Sequence, residues 1–307
     1  MTFFKKMESF EKYSAGVDEM KKNCLQPNSR AMYNSCIKQY TKFTEKIGSF
    51  PLTTQKILSF FEFLRREREY KYSTIQNYLH SFSHFIRMNQ ATYQNDPTKA
   101  SEVQEYMKGL MRSMHGGFPP NRKEAVSIED LDKIAELINI DDATQVRDFA
   151  CISMMFSGFL RSSEALALKR KNVTLHDGIM QITVESSKTD PDGRRNQVFI
   201  KKTDKPHCAY HWMEIYLKTK EFDPEKELFN ITYRTMDKKI KKYLMKIGRD
   251  STKYSTHSLR RGGAHEASLN GAQDCAIKSH GRWKSNVYTI YTAISSQEAG
   301  ESITPLI

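Results

Sequence analysis

The sequence predicts a mainly α-helical protein with two domains and one small β-hairpin, and three observations lead to this fold class. Apolar residues recur at helical spacing in four stretches of the first 115 residues. A segment rich in glycine and proline then interrupts the helical pattern. Further on, apolar and polar residues alternate near position 180, and a turn sequence follows. We therefore predict a helical domain at 1–117, a linker at 118–126, and a second domain at 127–307 that ends in a C-terminal tail.

Four amphipathic helices account for the N-terminal domain. Their apolar stripes are Met32, Cys36, Ile37, Tyr40 and Phe43; Ile57, Phe60, Phe61 and Leu64; Ile75, Tyr78, Leu79, Phe82, Phe85 and Ile86; and Val103, Tyr106, Met107, Leu110 and Met111. Residues three or four positions apart lie on the same face of an α-helix, so each stripe predicts one buried face. Ser73 is expected to cap the third helix. Four helices with short connections predict a small bundle.

The break between the domains follows from residues that disfavour a helix. Two adjacent glycines and two adjacent prolines lie between Met114 and Lys123. Proline lacks the backbone N–H that a helix interior requires, so no continuous helix is expected there. Ser127 and Asp130 have the spacing of a capping box, which predicts that a new helix begins directly after Ser127.

A β-hairpin is predicted within the second domain. Apolar and polar residues alternate over 180–184, which is typical of a strand with one buried face. Residues 190–193 have the composition of a turn, and the stretch 197–200 predicts the returning strand. Lys188 lies beside the tip of this hairpin.

Helices are predicted on both sides of the hairpin. An apolar helix ends at Gly158 and places Arg161 just beyond its end. Two further helices follow the hairpin. A last helix is predicted over 257–270, with Thr256 as its cap.

Composition restricts the class of protein. The 307 residues are 38% hydrophobic and 27% charged, as in globular proteins, and the net charge of +12 favours a polyanionic partner such as nucleic acid. The five cysteines include no Cys-x-x-Cys pair, which disfavours a zinc ribbon or a disulfide scaffold. No apolar run approaches the roughly 20 residues of a membrane helix. We therefore expect an intracellular protein that does not act at a membrane.

The second domain carries, in chain order, six residues suited to phosphodiester cleavage: Arg161, Lys188, His257, Arg260, Trp283 and Tyr291. A phenol has a pKa of about 10 and is a poor nucleophile until it loses its proton. Arginine forks remain charged and can donate to the nonbridging oxygens of a phosphate, while a lysine can release a proton to a leaving oxygen. An indole donates one hydrogen bond but is neither an acid nor a base. This set predicts strand cleavage by a phenolate, without a metal or another cofactor.

The order and surroundings of these residues resemble the catalytic signature of the tyrosine recombinase (phage-type integrase) family. The resemblance covers residues 120–295 and rests on three motifs, at 157–166, 257–264 and 281–285. In style, these motifs are closest to the versions in eukaryotic mobile elements. The first motif has one extra residue after its glycine, compared with the family pattern.

The resemblance implies a role for each candidate residue. Arg161 and Arg260 would hold the scissile phosphate, and Lys188, in a β-hairpin loop, would protonate the leaving 5′-hydroxyl. His257 would take part in proton transfer to or from the tyrosine, or donate to the phosphate. Trp283 would donate one hydrogen bond or pack against the site. The tyrosine would form a 3′-phosphotyrosine.

Two tyrosines compete for the role of nucleophile. Tyr291 follows Trp283 by eight residues and Tyr288 follows it by five. The commonest spacing in the family is one residue longer than the spacing from Trp283 to Tyr291. We favour Tyr291, which is nearest to the family spacing.

Three further residues lie within or beside the motifs. Glu164 follows Arg161 by three residues and is an available ion-pair partner on the same helix face, and the resemblance implies a structural role for it. His280 and Arg282 flank the Trp283 position and could contact phosphate, but for His280 we favour a role in packing or at the surface.

As a whole, the resemblance implies a site-specific DNA recombinase or integrase of a mobile element. The N-terminal domain would be the core-binding, DNA-binding domain, and the two domains would clamp duplex DNA. The expected partners are double-stranded DNA and, on that DNA, a homotetramer. The protein would act in the nucleus of a eukaryote, or in the cytoplasm of a prokaryote or of a phage host.

Two other functions remain open. One is a non-cleaving DNA-binding protein derived from a recombinase, and the irregular tyrosine spacing is the main feature that supports it. A type IB topoisomerase shares the cleavage chemistry but relaxes DNA as a monomer.

Overall fold

The chain divides into two units, Met1–Pro120 and Asn121–Ile307. The computed structural model describes residues 17, 20, 24–89, 92–115, 123–185 and 197–289. Within these ranges α-helices predominate and the strands form one small sheet, which confirms the predicted fold class. None of the helices in the described ranges is long and apolar enough to cross a membrane.

The described part of the first unit is a bundle of four α-helices, which lie where the sequence predicts them. They are α1 (Pro27–Phe43), α2 (Thr54–Arg66), α3 (Tyr72–Met88) and α4 (Ser101–His115). A 3₁₀ turn, Pro97–Lys99, precedes α4. Aromatic rings meet in the core, where the Tyr40 ring centroid lies 5.4 Å from that of Phe60 and 5.0 Å from that of Phe82. Burial of such large apolar rings is a major source of stability for the bundle.

Three details of the first unit differ from the prediction. Met32 is 38% exposed and Met111 is 44% exposed, although both belong to predicted apolar stripes. Each stripe is wider than the surface that neighbouring helices cover, and isolated exposed methionines are common in folded proteins. The expected cap at Ser73 is wrong, because α3 begins at Tyr72 and Lys71 occupies its N-cap position without a side-chain hydrogen bond.

The described part of the second unit contains seven α-helices and three strands. In chain order they are α5 (Ile128–Glu136), α6 (Ala143–Ser157), α7 (Ser162–Leu166), β1 (Val173–His176), β2 (Ile179–Thr183), β3 (Gln197–Lys201), α8 (Ala209–Lys218), α9 (Tyr233–Lys246), α10 (His257–Leu269) and α11 (Asp274–His280). Three 3₁₀ turns, Arg170–Asn172, Ser251–Lys253 and Asn286–Tyr288, lie between or after these elements.

The sheet is antiparallel, with the strand order β1-β2-β3. Met180 of β2 lies opposite Ile200 of β3, and Ile182 lies opposite Val198, with all four side chains buried. The two predicted strands are therefore confirmed. β1 was not predicted, since four residues are too few to show a clear alternation. The turn predicted at 190–193 lies outside the described residues.

α6 is the most deeply buried helix of the described second unit. Every residue from Asp148 to Phe156 is buried. The Trp212 ring of α8 packs edge-on against Phe149, with 4.9 Å between the ring centroids. Because α6 is enclosed by its neighbours, the connection that follows it starts from a rigid position.

Two glycines allow α10 to approach α6 closely. A Cβ atom added at Gly262 would overlap the carbonyl oxygen of Val126, and one added at Gly263 would overlap the carbonyl oxygen of Phe156. Residues with side chains at these positions would push α10 outwards. The close approach holds the first turn of α10 beside the end of α6.

The caps of the helices around the site agree only in part with the prediction. The Ser127 hydroxyl accepts from the Asp130 N–H at 3.1 Å, and the Asp130 carboxylate accepts from the Ser127 N–H at 3.3 Å, which confirms the capping box. Thr256 precedes α10, but its side chain makes no cap hydrogen bond, so this expectation is wrong. α10 ends before Asn270 as predicted, and Gly271 follows in the left-handed region with φ 79°.

Candidate active site

A tight reversal between α6 and α7 places Arg161. Phe159 adopts a left-handed conformation with φ 45°, and the Leu160 N–H donates to the carbonyl oxygen of Met155 at 3.0 Å. Arg161 then occupies the N-cap position of α7 with φ −71° and ψ 149°. Its side chain is 23% exposed. The arginine therefore projects from a short, hydrogen-bonded connection and partly reaches solvent.

Glu164 is a buried carboxylate that lies among three arginines. Its Oε1 accepts from Arg161 Nη1 at 2.6 Å, and its Oε2 accepts from the Arg161 backbone N–H at 2.9 Å. Oε2 also accepts from Arg282 Nη2 at 2.7 Å and lies 3.7 Å from Arg260 Nη1. Burial alone would raise the pKa of Glu164, but Arg282 and Arg161 outweigh it and hold the pKa below its ordinary value. Glu164 is therefore an anion with three arginine side chains within 4 Å of its carboxylate.

Arg260 lies in the first turn of α10, and only 1% of its side chain is exposed. Its guanidinium donates to the carbonyl oxygen of Phe159 and, at 2.7 Å, to that of Gly281. Its Cζ atom lies 4.4 Å from the centroid of the Trp283 ring, within the range of a cation–π interaction. Two backbone acceptors and one aromatic face thus fix the plane of the guanidinium.

Trp283 is 4% exposed and forms the aromatic wall beside Arg260. Its ring centroid lies 6.2 Å from that of Phe159 and 6.0 Å from that of Tyr288. A Cβ atom at Gly281 would overlap the indole, so the glycine makes room for the tryptophan. Burial and then the Asp274 carboxylate raise the pKa of Tyr288 above its ordinary value. A phenolate is therefore disfavoured at Tyr288.

His257 is the first residue of α10, and its side chain is exposed to solvent. Partial desolvation by the surrounding protein, followed by the positive charges of Arg260, Arg161 and Arg261, lowers the pKa of His257. The neutral imidazole is consequently favoured near pH 7, where one ring nitrogen can accept a proton. The influence of Arg161 and Arg260 on His257 indicates that the three side chains share one neighbourhood.

Arg282 and His280 both contact other groups of the protein, and for His280 this agrees with the packing role that the sequence favoured. Arg282 is 6% exposed and donates to the Glu164 carboxylate, so it contacts the protein interior. The His280 Nε2 lies 2.8 Å from the carbonyl oxygen of Ser157, and its ring packs edge-on against Phe159 at 4.7 Å. Nothing in the local sequence distinguishes a buried arginine from an exposed one here, because the burial comes from distant segments.

Two candidate residues lie outside the described part of the chain. Lys188 falls in 186–196, the segment between β2 and β3, and Tyr291 falls in 290–307. Among the described candidates, Arg161 and Arg260 both lie within 4 Å of the Glu164 carboxylate, and Trp283 packs against Arg260. The positions of the lysine and the nucleophile stay predictions.

The chain matches two family models. Residues 127–298 match the phage integrase family, and residues 13–90 match the phage integrase N-terminal SAM-like domain. The first match covers more than half of the chain and spans the arginine cluster and its neighbours. The chain belongs to the phage integrase family.

A curated relative agrees with this assignment, and solved structures share the fold. An integrase/recombinase XerD homolog of Selenomonas ruminantium is 26% identical over 203 residues, which are 62% of this chain and 59% of the relative. The chain thus matches about three fifths of the length of that relative. The XerH recombinase in a post-cleavage complex with palindromic difH substrate superposes with a TM-score of 0.64 at 19% identity, covering 90% of this chain and 79% of that one. The Tn1549 transposon integrase in complex with transposon right end DNA gives a TM-score of 0.67 at 13% identity, covering 92% and 95%.

Proposed function

We propose that the chain breaks and rejoins DNA strands as a site-specific recombinase or integrase, through a 3′-phosphotyrosine intermediate. The observation that carries this proposal is the gathering of Arg161 and Arg260 around Glu164. Two guanidinium groups in one place suit the nonbridging oxygens of a single phosphate. Membership of the phage integrase family supports the same reaction.

The charge of the arginine cluster favours the transition state of phosphoryl transfer. Arg161, Arg260 and Arg282 carry three positive charges and Glu164 carries one negative charge, which leaves two net positive charges. Attack on a phosphodiester adds a second negative charge to the phosphoryl oxygens. Donors that are already in place can stabilise this charge without reorganisation, and this is often the largest single contribution to catalysis.

Cleavage then needs two proton transfers, which we assign to the remaining candidates. The Tyr291 oxygen attacks phosphorus and passes its proton to the neutral His257, whose lowered pKa leaves a ring nitrogen available. The bond to the 5′ oxygen breaks, and the Lys188 ammonium donates a proton to that oxygen. Rejoining reverses these steps, with a 5′-hydroxyl as nucleophile and the tyrosine as leaving group. Because the phosphotyrosyl bond conserves the bond energy, the cycle consumes no ATP.

Double-stranded DNA is the proposed substrate and partner. The net charge of +12 supports binding to a polyanion. Exchange of both strands between two duplexes needs four cleavages, so we propose that a homotetramer assembles on the DNA. We place the reaction inside the cell, on the DNA of a mobile element.

Covalent capture tests the proposal directly. The protein would be incubated with a pool of duplexes of randomised sequence that carry a nick, so that the short cleaved strand diffuses away and the adduct is trapped. We expect a protein–DNA adduct that resists denaturation, with peptide mass locating the nucleotide on Tyr291. Sequencing of the trapped strands would then identify the preferred site.

Matched tyrosine variants separate the possible outcomes. Tyr291→Phe should abolish the adduct, whereas Tyr288→Phe should retain it. A chain that binds the pool but forms no adduct would be a DNA-binding protein without cleavage activity. An adduct combined with supercoil relaxation by a monomer, without strand exchange, would identify a topoisomerase instead.

A further inference from the structure

Arg282 combines three features that are unfavourable for an arginine. Its side chain is 4% exposed, and its backbone adopts φ 57°, in the region that disfavours residues with a Cβ atom. Its Nε has no hydrogen-bond partner among the described residues. Its other donors bind Glu164 Oε2 at 2.7 Å and the carbonyl oxygens of His280 at 3.1 Å and of Gly158 at 3.5 Å. The ion pair with Glu164 is the contact that compensates for burying the charge.

Arg282 and Arg260 face the same carboxylate oxygen. Arg282 Nη2 lies 2.7 Å from Glu164 Oε2, whereas Arg260 Nη1 lies 3.7 Å from it, beyond hydrogen-bond distance. The Arg161 side chain donates to the other oxygen, Oε1, at 2.6 Å, and the Arg161 backbone N–H donates to Oε2 at 2.9 Å. If the Arg282 charge were absent, Oε2 would be a strong acceptor within 4 Å of Arg260. Arg260 would then be drawn towards Glu164 by an attraction that is strong in a buried environment.

The ion pair also fixes the chain segment that holds Arg260. The Gly281 carbonyl accepts from Arg260 Nη2 at 2.7 Å, and the Trp283 ring lies against the same guanidinium. Both residues are direct neighbours of Arg282 in the chain. The ion pair between Arg282 and Glu164 therefore holds the Gly281 carbonyl and the Trp283 ring in place beside Arg260.

We infer that Arg282 is a positioning residue, which satisfies Glu164 and thereby leaves Arg260 oriented for the nonbridging oxygens of the scissile phosphate. Arg282 itself does not touch the DNA. The inference rests on the proposed function, since it concerns the same phosphate site. It predicts that Arg282 is required only while Glu164 carries a negative charge.

The test compares cleavage of two nicked duplexes by the wild type, Arg282→Gln, Arg282→Lys and Arg260→Ala. One duplex has an ordinary scissile phosphate. The other has a methylphosphonate at the same position, which lacks one negative charge, so its cleavage depends less on arginine donors. At saturating DNA, Arg282→Gln should slow cleavage of the ordinary duplex by about tenfold or more, with a smaller loss on the methylphosphonate. Arg260→Ala should show the same selective loss. Arg282→Lys should recover part of the rate, because an ammonium can still neutralise Glu164.

A second pair of variants tests the dependence on Glu164. The rate of Glu164→Gln would be compared with that of the double variant Glu164→Gln/Arg282→Gln, as a double-mutant cycle. The double variant should cleave at least as fast as the single one, because the neutral amide that replaces the carboxylate no longer attracts Arg260. This comparison still tests the inference if circular dichroism shows that Arg282→Gln alone fails to fold.

The outcomes distinguish this inference from the proposed function. If the wild type forms no adduct with either duplex, the proposed function fails. If the wild type cleaves but a folded Arg282→Gln cleaves equally well, or loses the same factor on both duplexes, Arg282 does not act through Arg260. A double variant much slower than Glu164→Gln would overturn the inference in the same way.

Discussion

Glu62 in the first unit and Glu164 in the second each bind more than one arginine, but in opposite surroundings. Glu62 accepts from Arg65 at 2.6 and 2.9 Å and also from Arg66, both in the same helix, α2. Tyr106 of α4 adds one hydrogen bond at 2.8 Å, and the Glu62 side chain is 33% exposed. The Glu164 side chain is 2% exposed, and its arginines come from three separate segments of the chain.

This difference shows what burial adds to an ion cluster. Exposed pairs within one helix are screened by water and contribute little to stability, because the unfolded chain keeps the same groups hydrated. A buried carboxylate has no water to replace a lost partner, so each arginine around Glu164 is tied to its position. The first cluster lies along α2 with one hydrogen bond from α4, and the second joins the α6–α7 connection, α10 and the segment after α11.

The largest expected effect is the loss of the buried carboxylate. Glu164→Gln leaves Arg282 buried without its counter-ion, and we expect the second unit to lose about 3–5 kcal/mol of unfolding free energy. Urea unfolding followed by tryptophan fluorescence measures this directly, because both tryptophans, Trp212 and Trp283, lie in the second unit.

The matched control is Glu62→Gln in the partly exposed cluster. Its unfolding, followed by circular dichroism, should stay close to that of the wild type. Equal losses for the two variants would show that burial does not separate the clusters. Because the pKa of Glu164 is lowered on folding, its stabilisation is present above the unfolded pKa of about 4.3 and is lost as the pH falls through the folded value.

An intermediate effect is expected from adding a methyl group to a helical glycine in each unit. Gly263→Ala in α10 places a Cβ atom against the carbonyl oxygen of Phe156, and we expect a cost of about 1–3 kcal/mol. Gly109→Ala in α4 has open space around it and should instead stabilise by about 0.5–1 kcal/mol. Thermal denaturation of both variants checks the signs. A neutral result for Gly263→Ala would mean that α10 can move away from α6 without loss.

The smallest expected effect is a shift in a pH profile. The lowered pKa of His257 means that the imidazole stays neutral to a lower pH, so the cleavage rate should fall only below about pH 6.5. Arg261→Gln removes one of the charges that lower the pKa of His257, so the acidic limb should move to higher pH. Lys246→Gln, at an exposed position near the end of α9, is the control and should leave the profile unchanged. If the acidic limb of the profile does not move in Arg261→Gln, His257 is not the group whose protonation causes it.

Local patterns in the sequence were sufficient to locate most of the described helices and two of the strands. All four apolar residues predicted for α2, at 57, 60, 61 and 64, are buried, because a helix repeats its face every three to four residues whatever surrounds it. The capping box at Ser127 is equally local. β1 escaped prediction because its pairing with β2, and not its own pattern, makes it a strand.

In the candidate site, too, the sequence indicated some features and the tertiary structure decided others. The sequence was sufficient to identify Arg161, His257, Arg260 and Trp283 as candidates, because residue type and order along the chain are enough to recognise them. The sequence did not indicate that Glu164 lies between three arginines, and it offered Arg282 only as a residue that could contact phosphate. Arg282 and Glu164 are 118 residues apart, and no pattern within one helix or turn can report a contact at that separation.

The sequence by itself therefore determined the positions of most of the described helices, the β2 and β3 strands and the order of the reactive side chains. Only the tertiary structure decided which charges are buried, which carboxylate oxygen each arginine binds, and that Trp283 lies against Arg260. The physical reason is the range of the interactions. Helix periodicity and capping act within a few residues, whereas burial and ion pairing depend on all the atoms that surround a group in space.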